Sequence, residues 1–234
     1  MVLLMIKTVF LDLDDTIFDF HACEKVAISK TLLCFGADPC DEIVARYSEY
    51  NKLQWEALER GEITREQVLT RRFELLFDYL GIEVDPWQVQ ALYERNLSME
   101  HIFMKGAEAL LSELRDLGKY RLYAATNGIA NVQWPRIRES GIESYFEAFF
   151  ISEEIGSNKP SKEFFDGCFA QIPNFDISEA IIIGDSLTSD IRGGKNAGLK
   201  TCLFNPSKKT NLTDVIPDYE ISELSEVVPL LEKL

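Results

Sequence analysis

Short apolar runs in two parts of the chain predict buried strands. Apolar and polar positions do not alternate in these runs as they would in a half-exposed strand, so both faces of each strand are expected to be covered. The four clearest runs, with a fifth further along, are residues 8–11, 121–125, 149–151, 180–183 and 201–204.

Helical patterns lie between these runs. A glycine follows the first and third of them and a proline precedes the second, which is typical of helix ends and starts. Strands that alternate with helices predict an α/β sheet with right-handed crossovers. The predicted helices cover residues 107–117, 161–171, 189–197 and 222–234.

The long segment between the first and second runs breaks this alternation. It contains no convincing strand, so we predict an all-helical cap over 18–104, inserted into an α/β core formed by 1–17 and 105–234. Within the cap, two capping boxes are predicted, at Thr64 and at Asp85. Positions 72, 75, 76, 79 and 80 keep to helical spacing and are apolar except at the first, so the helix after Thr64 is expected to bury a stripe of its own.

The charge balance narrows the class of ligand. A formal net charge of -15 opposes binding along a nucleic-acid polymer, because such binding depends on Lys and Arg. A single small anion can still bind if a metal ion and a few local cations attract it. We therefore expect a small-molecule ligand and no nucleic-acid partner.

The sequence predicts a cytoplasmic protein without membrane association, either a monomer or a homodimer. No stretch approaches the roughly 20 apolar residues of a membrane span. The apolar start, residues 1–6, is too short for a signal peptide and lacks a small-residue cleavage site. The five cysteines are scattered with no C-x-x-C pair, which favours reduced thiols over a zinc site or disulfides.

Polar residues of catalytic type follow the predicted strands directly. In an open parallel sheet, ligands bind beyond the carboxyl ends of the strands. A lone Asp at such an end often caps a turn, but several ends together here supply every group that phosphoryl transfer requires. These residues are Asp12, Asp14, Thr126, Asn127, Lys159, Asp185 and Asp190.

The order and spacing of these residues resemble the haloacid dehalogenase-like hydrolase superfamily. The motifs of that family are D-x-D-x-T, a strand ending in Ser or Thr, a Lys, and G-D-x-x-x-x-D. The resemblance covers essentially the whole chain, and it implies a Rossmann-like parallel sheet flanked by helices, with the helical insertion as cap. The motifs appear here as Asp12-Leu13-Asp14-Asp15-Thr16, Thr126, Lys159 and Gly184-Asp185 through Asp190.

The resemblance and the chemistry of the side chains together imply a covalent mechanism with Mg²⁺. Asp12 would attack phosphorus and form an aspartyl phosphate. Asp14 would protonate the leaving oxygen and later take a proton from water. Because Mg²⁺ prefers oxygen ligands, Asp12, Asp185 and the main-chain carbonyl of Asp14 would bind it.

The substrate phosphate is expected to contact Thr126, Asn127 and Lys159, which lie where charge develops during transfer. Lys159 would also contact Asp12. Asp190 is expected just outside the metal ligands, or as the partner that orients Lys159.

Other activities remain open on this scaffold. Dehalogenases of the superfamily lack an acid at the position of Asp14, so this residue favours a phosphate ester. A phosphatase for sugar phosphates or phosphoglycolate and a phosphomutase would share the motifs. A non-catalytic binding or regulatory protein is a further alternative, because fold does not dictate function.

Short strings in the predicted cap resemble the bacterial branch that dephosphorylates pyrimidine and non-canonical nucleoside monophosphates. This resemblance implies a 5'-nucleotidase, acting on a small phosphorylated metabolite. Trp55 and Asn51 are the candidates for stacking on a base and bonding to its edge. Arg71 and Arg72 are expected mainly in ion pairs on the helix surface. The strings are residues 51–55, 61–64 and 71–73.

Overall fold

The computed structural model describes residues 5–234. The apolar start over residues 1–6 therefore lies largely outside the described residues. No helix in the described range is both long and apolar enough to cross a membrane. All five cysteines are free thiols.

Six strands form one parallel sheet, in the order β3-β2-β1-β4-β5-β6. This arrangement confirms the predicted Rossmann-like α/β class, and the five predicted strands are present. The sixth strand, a three-residue edge strand, was not predicted. The strands are β1 (Thr8–Leu11), β2 (Arg121–Thr126), β3 (Ala148–Ile151), β4 (Ala180–Gly184), β5 (Lys200–Phe204) and β6 (Tyr219–Ile221).

Strand β1 lies in the middle of the sheet and is buried along its whole length. Its last residue, Leu11, pairs with Ala124 of β2 and Ile183 of β4. The segments that follow these three strands therefore emerge side by side at the carboxyl edge. This register brings three of the predicted motif segments together.

Contacts group the chain into two compact units. The residues up to Asp19, with Phe103–Ala130 and Gly141–Leu234, form the α/β unit. Phe20–Ile102 and Asn131–Ser140 form the second, helical unit. The segment 131–140 was expected in the core but groups with the helical unit, and the helix that contains it was not predicted.

Local signals place several helix ends of the α/β unit, although the predicted helix over 189–197 is α-helical only from Arg192. The predicted helix over 107–117 is present and ends at Gly118, which has a left-handed φ of 60°. The Ser161 side chain caps the helix that follows Pro160. The predicted last helix, 222–234, is wrong in extent, because only 227–231 is α-helical. The helices are α5 (Ala107–Leu117), α7 (Ser152–Ile155), α8 (Lys162–Phe169), α9 (Arg192–Ala197) and α10 (Val227–Leu231).

Aromatic side chains fill the space between the sheet and α8. The ring of Phe10 on β1 lies 5.7 Å from that of Tyr123 and 6.3 Å from that of Phe150, between centroids. Phe164 and Phe165 of α8 are fully buried in the same cluster. Burial of each such side chain stabilises the fold by about 1.5–3 kcal/mol.

The helical unit contains four sequential helices and α6, which comes from later in the chain. Helix α1 packs on α4, and α3 packs on both α2 and α4. The capping box at Thr64 is confirmed, because its side chain and that of Gln67 each accept a main-chain N–H. Asp85 accepts from Trp87 N instead of forming a box. The helices are α1 (Phe20–Cys34), α2 (Asp41–Glu59), α3 (Arg65–Leu80), α4 (Pro86–Leu97) and α6 (Ala130–Glu139).

The buried stripe of α3 is rotated from the predicted one. Leu75 and Tyr79 are 41% and 47% exposed, whereas Phe73 and Phe77 are buried. The predicted surface position of Arg72 is also wrong, because this side chain is buried. Two large aromatic side chains bury more apolar area than Leu75 and Tyr79 would, so they set the rotation of the helix.

Candidate active site

Asp12 is the first residue after β1, and its own main chain extends the sheet. Its N–H donates to Ile183 O at 3.0 Å, and its side chain is almost fully buried. The chain then turns sharply, with Asp15 at a φ of 57° and its N–H bonded to Phe18 O at 2.7 Å. This turn holds Asp12 and Asp14 at the carboxyl edge of the sheet.

Lys159 lies at the centre of the site, with all three N–H donors engaged. Its Nζ atom donates to Asp12 Oδ1 at 2.6 Å, to Asp190 Oδ1 at 2.7 Å and to Ala125 O at 2.6 Å. Lys159, Asp12 and Asp190 are all buried. The structure therefore brings together the first, third and fourth predicted motifs.

Asp190 is fixed on both of its oxygens. Oδ1 accepts from Lys159, and Oδ2 accepts from Ser186 N at 3.1 Å. A side chain at Gly184 would place its Cβ only 2.2 Å from Asp190 Oδ2, so only glycine fits there. The contact with Lys159 is the one expected of a residue that orients this lysine.

The second motif contributes two side chains at the end of β2. Thr126 is buried, and its hydroxyl accepts from Gly128 N at 3.0 Å. The Asn127 amide bonds to the main chain of Lys159, with Oδ1 accepting from N and Nδ2 donating to O, both at 2.9 Å. This link between Asn127 and Lys159 gave no signal in the sequence.

Burial and charge perturb the ionisation of the cluster. Burial raises the pKa of Asp12 well above its ordinary value; Lys159 opposes the rise, and Asp190 and Asp14 add to it. Burial likewise raises the pKa of Asp185, reinforced by Asp190 and Asp12. Burial acts to lower the pKa of Lys159, but the two carboxylates outweigh it and hold the value above the ordinary one. Three carboxyl groups thus share one ammonium, and their mutual repulsion and burial disfavour full ionisation unless a further cation is present.

The donor set fits a divalent cation that prefers oxygen. Carboxylate oxygens of Asp12, Asp185 and Asp190 lie within 4.8 Å of one another. Asp190 is already bonded on both oxygens, whereas no donor within residues 5–234 bonds to the Asp185 carboxylate. Asp12 and Asp185 are thus the side chains with capacity to bind Mg²⁺. The Asp14 side chain is not in this cluster, and its predicted main-chain contribution stays a prediction.

The two cap residues expected to contact substrate lie in the helical unit, and their surroundings differ. Asn51 is buried, with Nδ2 donating to Glu24 and Oδ1 accepting from Arg72. Trp55, one turn further along α2, is partly exposed, with the Arg65 guanidinium 5.7 Å from its ring centre. The contacts of Asn51 give no support to a role in base recognition, so only Trp55 is carried forward.

Comparison with known proteins assigns the class. A family model described as haloacid dehalogenase-like hydrolase matches residues 6–198. This family match defines the chain as a hydrolase. The parallel sheet and the carboxylate cluster at its carboxyl edge agree with that class. The chain belongs to the haloacid dehalogenase-like hydrolase family, which confirms the resemblance seen in the motifs.

Three relatives resemble the chain over nearly its full length. A crystal structure of the putative HAD-hydrolase YfnB from Bacillus subtilis, bound to magnesium, is 39% identical, covers 97% of this chain and 99% of its own, and superposes with a TM-score of 0.92. The pyrimidine 5'-nucleotidase PynA of Streptococcus pneumoniae is 36% identical over 97% of this chain and 95% of its own. The pyrimidine 5'-nucleotidase YjjG of Escherichia coli is 32% identical over 96% and 97%.

Proposed function

We propose that this hydrolase is a magnesium-dependent phosphatase that acts through an aspartyl phosphate on Asp12, with nucleoside 5'-monophosphates as its substrate class. The observation that carries the proposal is the contact of Lys159 Nζ with Asp12 Oδ1 at 2.6 Å, inside a cluster of three carboxyl groups around one ammonium. A carboxylate can attack a phosphate ester once cations hold it in place and screen the charge of the phosphate.

In the first half of the reaction, Asp12 attacks phosphorus and displaces the alcohol. Lys159 holds the carboxylate in place and offers positive charge to the transferring group. Thr126 and main-chain N–H groups at the end of β2 hold the phosphoryl oxygens. Mg²⁺, bound by Asp12, Asp185 and the Asp14 carbonyl, would neutralise the repulsion between nucleophile and substrate.

In this proposal Asp14 donates and accepts the protons that the reaction requires. It protonates the leaving oxygen during attack, and then takes a proton from the water that hydrolyses the aspartyl phosphate. General acid–base help of this kind is worth about 10²- to 10⁴-fold in rate. The free carboxylate of Asp12 is regenerated when inorganic phosphate leaves.

The substrate class rests on the two relatives named as pyrimidine 5'-nucleotidases and on one exposed ring. Trp55 is partly exposed on α2, and an aromatic side chain suits stacking on a base. The Arg65 guanidinium near that ring adds a positive charge beside it.

A phosphate-release assay with a panel of esters tests the proposal. We expect no release without a divalent metal, release with Mg²⁺, and pyrimidine nucleoside monophosphates to exceed sugar phosphates in kcat/KM. Trp55→Leu should lower kcat/KM for nucleotides more than for an aryl phosphate, whereas Trp87→Leu, an exposed tryptophan on α4, serves as control. A higher kcat/KM for sugar phosphates would contradict the nucleotidase assignment, and no release with any ester would contradict the phosphatase.

A comparison of esters with poor and good leaving groups distinguishes the role of Asp14 from that of Asp12. Asp14→Asn should slow esters with poor leaving groups far more than an activated aryl phosphate, because only the former need a proton. Equal losses for both kinds of ester would remove Asp14 from the acid role while leaving the phosphatase assignment intact.

A further inference from the structure

The position of Lys159 depends on a loop outside the sheet. Lys159 lies between α7 and α8, so no strand ladder holds its main chain. Buried or partly buried main-chain groups in such a loop need partners elsewhere. The partners of both the N–H and the carbonyl of Lys159 are on one side chain, that of Asn127.

The Asn127 amide closes a two-point contact with this residue. Its Oδ1 accepts from Lys159 N at 2.9 Å, and its Nδ2 donates to Lys159 O at 2.9 Å. Two hydrogen bonds from one planar amide fix both the distance and the orientation of the Lys159 backbone. The start of the lysine side chain is therefore fixed from the end of β2.

The same segment also holds the far end of the lysine. Ala125, two residues before Asn127, accepts from Lys159 Nζ through its carbonyl at 2.6 Å. Lys159 is thus held at its main chain and at its ammonium by residues 125–127. A side chain held at both ends has little freedom to leave Asp12, which accepts from the same ammonium.

The amide extends this link to the fourth motif. Nδ2 of Asn127 also donates to Ser189 Oγ at 3.3 Å, and Ser189 precedes Asp190. Asp190 in turn accepts from Lys159 Nζ. One side chain therefore connects the three segments that supply Thr126, Lys159 and Asp190.

We infer that the Asn127 side chain is a positioning residue, which sets the place of the Lys159 ammonium relative to Asp12. This inference rests on the proposed function, in which Lys159 holds the nucleophile and the transferring group. It differs from the direct phosphate contact expected from the sequence, because the amide acts through Lys159. Residues that orient a catalytic group in this way are commonly worth about 10- to 100-fold in activity.

A double-mutant cycle distinguishes the two roles. Asn127→Ala is compared with wild type and, separately, in a Lys159→Met background, with kcat/KM measured for an activated aryl phosphate and Mg²⁺. We expect a loss of about 10- to 100-fold in the first comparison and less than about 3-fold in the second, because residues that act as a unit are not additive. An equal loss in both backgrounds would overturn the inference.

If turnover in the Lys159→Met background is too slow to follow, phosphate binding can be measured instead. Calorimetry gives the Kd of inorganic phosphate with Mg²⁺ for the same four proteins, and the same non-additivity is expected. Asn127→Asp keeps the acceptor for Lys159 N but loses the donor to Lys159 O, so an intermediate loss is expected. If Asn127→Asp matched wild type, the two-point contact would have no role.

The matched control is Asn196→Ala. Asn196 is an exposed amide on α9 that donates to Pro160 O at 3.3 Å, one residue beyond the Asn127 contact. Its removal should leave kcat/KM within about 3-fold of wild type. Failure of wild type to release phosphate at all would instead remove the proposed function, and the inference with it.

Discussion

Both units of this chain bury a basic side chain, yet the charge around the two differs. In the helical unit, Arg72 donates to two neutral amides, Asn51 and Gln90, at 2.6 Å each. A single buried carboxylate, Glu24, accepts from Asn51 and Ser48 on the other side. Arg72 and Glu24 give this buried network one charge of each sign, and Gln90 extends it to the half-buried Glu94.

In the α/β unit, the balance is unequal. Three carboxylates lie around one ammonium, and the one on Asp185 accepts no hydrogen bond within the described residues. A buried cation whose charge is matched can serve packing alone, whereas an excess of buried carboxyl groups over cations costs stability and persists where function requires it. The comparison therefore distinguishes a polar core suited to a structural role from the cluster that we propose to be catalytic.

The largest expected effect comes from Asp12→Asn. Turnover should fall by about 10⁴-fold or more, the order seen when a nucleophile is removed. The Tm without metal should equal or exceed that of wild type, because the raised pKa of Asp12 shows that its charge is costly in the folded state. Phosphate release and thermal unfolding measure the two effects.

The control for that prediction is Asp166→Asn, an exposed aspartate that also pairs with a lysine, Lys162. Its activity should match that of wild type. Substantial turnover in Asp12→Asn would show that another group attacks phosphorus.

The opposite pattern is expected for Arg72→Leu. Loss of this buried cation leaves the Asn51 and Gln90 oxygens without their donor, and should lower the free energy of unfolding by about 3–5 kcal/mol. Urea unfolding measures the loss, and turnover of an aryl phosphate by the folded protein should stay near that of wild type. Arg60→Leu, which removes an exposed ion pair with Glu62, should leave the urea midpoint unchanged.

Gly184→Ala should reduce catalysis, but less than Asp12→Asn does. The new Cβ would collide with Asp190 Oδ2, displace that carboxylate and weaken the hold on Lys159. We expect kcat/KM to fall about 10- to 100-fold, as for the loss of other orienting groups. Wild-type kcat/KM in this variant would mean that the site tolerates movement of Asp190.

The smallest expected effect is a pH dependence of folding stability that arises in the helical unit. Burial raises the pKa of Glu24, and hydrogen bonds from Ser48 and Asn51 and the charges of His21 and Arg72 oppose the rise. A carboxyl whose pKa is raised by folding favours the folded state below its unfolded pKa, and this contribution is lost as pH rises through the folded pKa.

Glu24→Gln removes that titration while keeping a group of the same shape. The variant should be at least as stable as wild type at about pH 7.5, and the difference should narrow at about pH 5. Urea unfolding at both pH values measures it. A variant less stable than wild type by the same amount at both values would show that the raised pKa does not govern the stability.

The sequence predicted the sheet and the carboxyl-edge residues because both depend on local pattern. Apolar runs mark the buried strands, and the parallel register then places the segments that carry Asp12, Thr126 and Asp185 side by side at the carboxyl edge. The edge strand β6 is too short and too polar to stand out. Helix α6 was missed because its pattern is mostly polar, with a proline inside.

Contacts between side chains far apart in sequence gave no local signal. Asn127 and Lys159 are 32 residues apart, and nothing in either segment predicts the amide contact. Arg72 was expected on the surface because a charge is usually solvated. Its two amide partners make burial tolerable, together with the rings of Phe73 and Tyr93, whose centres lie 4.9 and 5.0 Å from its guanidinium.

The stereochemistry at phosphorus tests the covalent mechanism most directly. Hydrolysis of an isotopically chiral phosphorothioate ester by the wild-type enzyme should give net retention, because attack by Asp12 and then by water inverts the centre twice. Net inversion would mean a single direct attack by water, and would contradict the aspartyl phosphate.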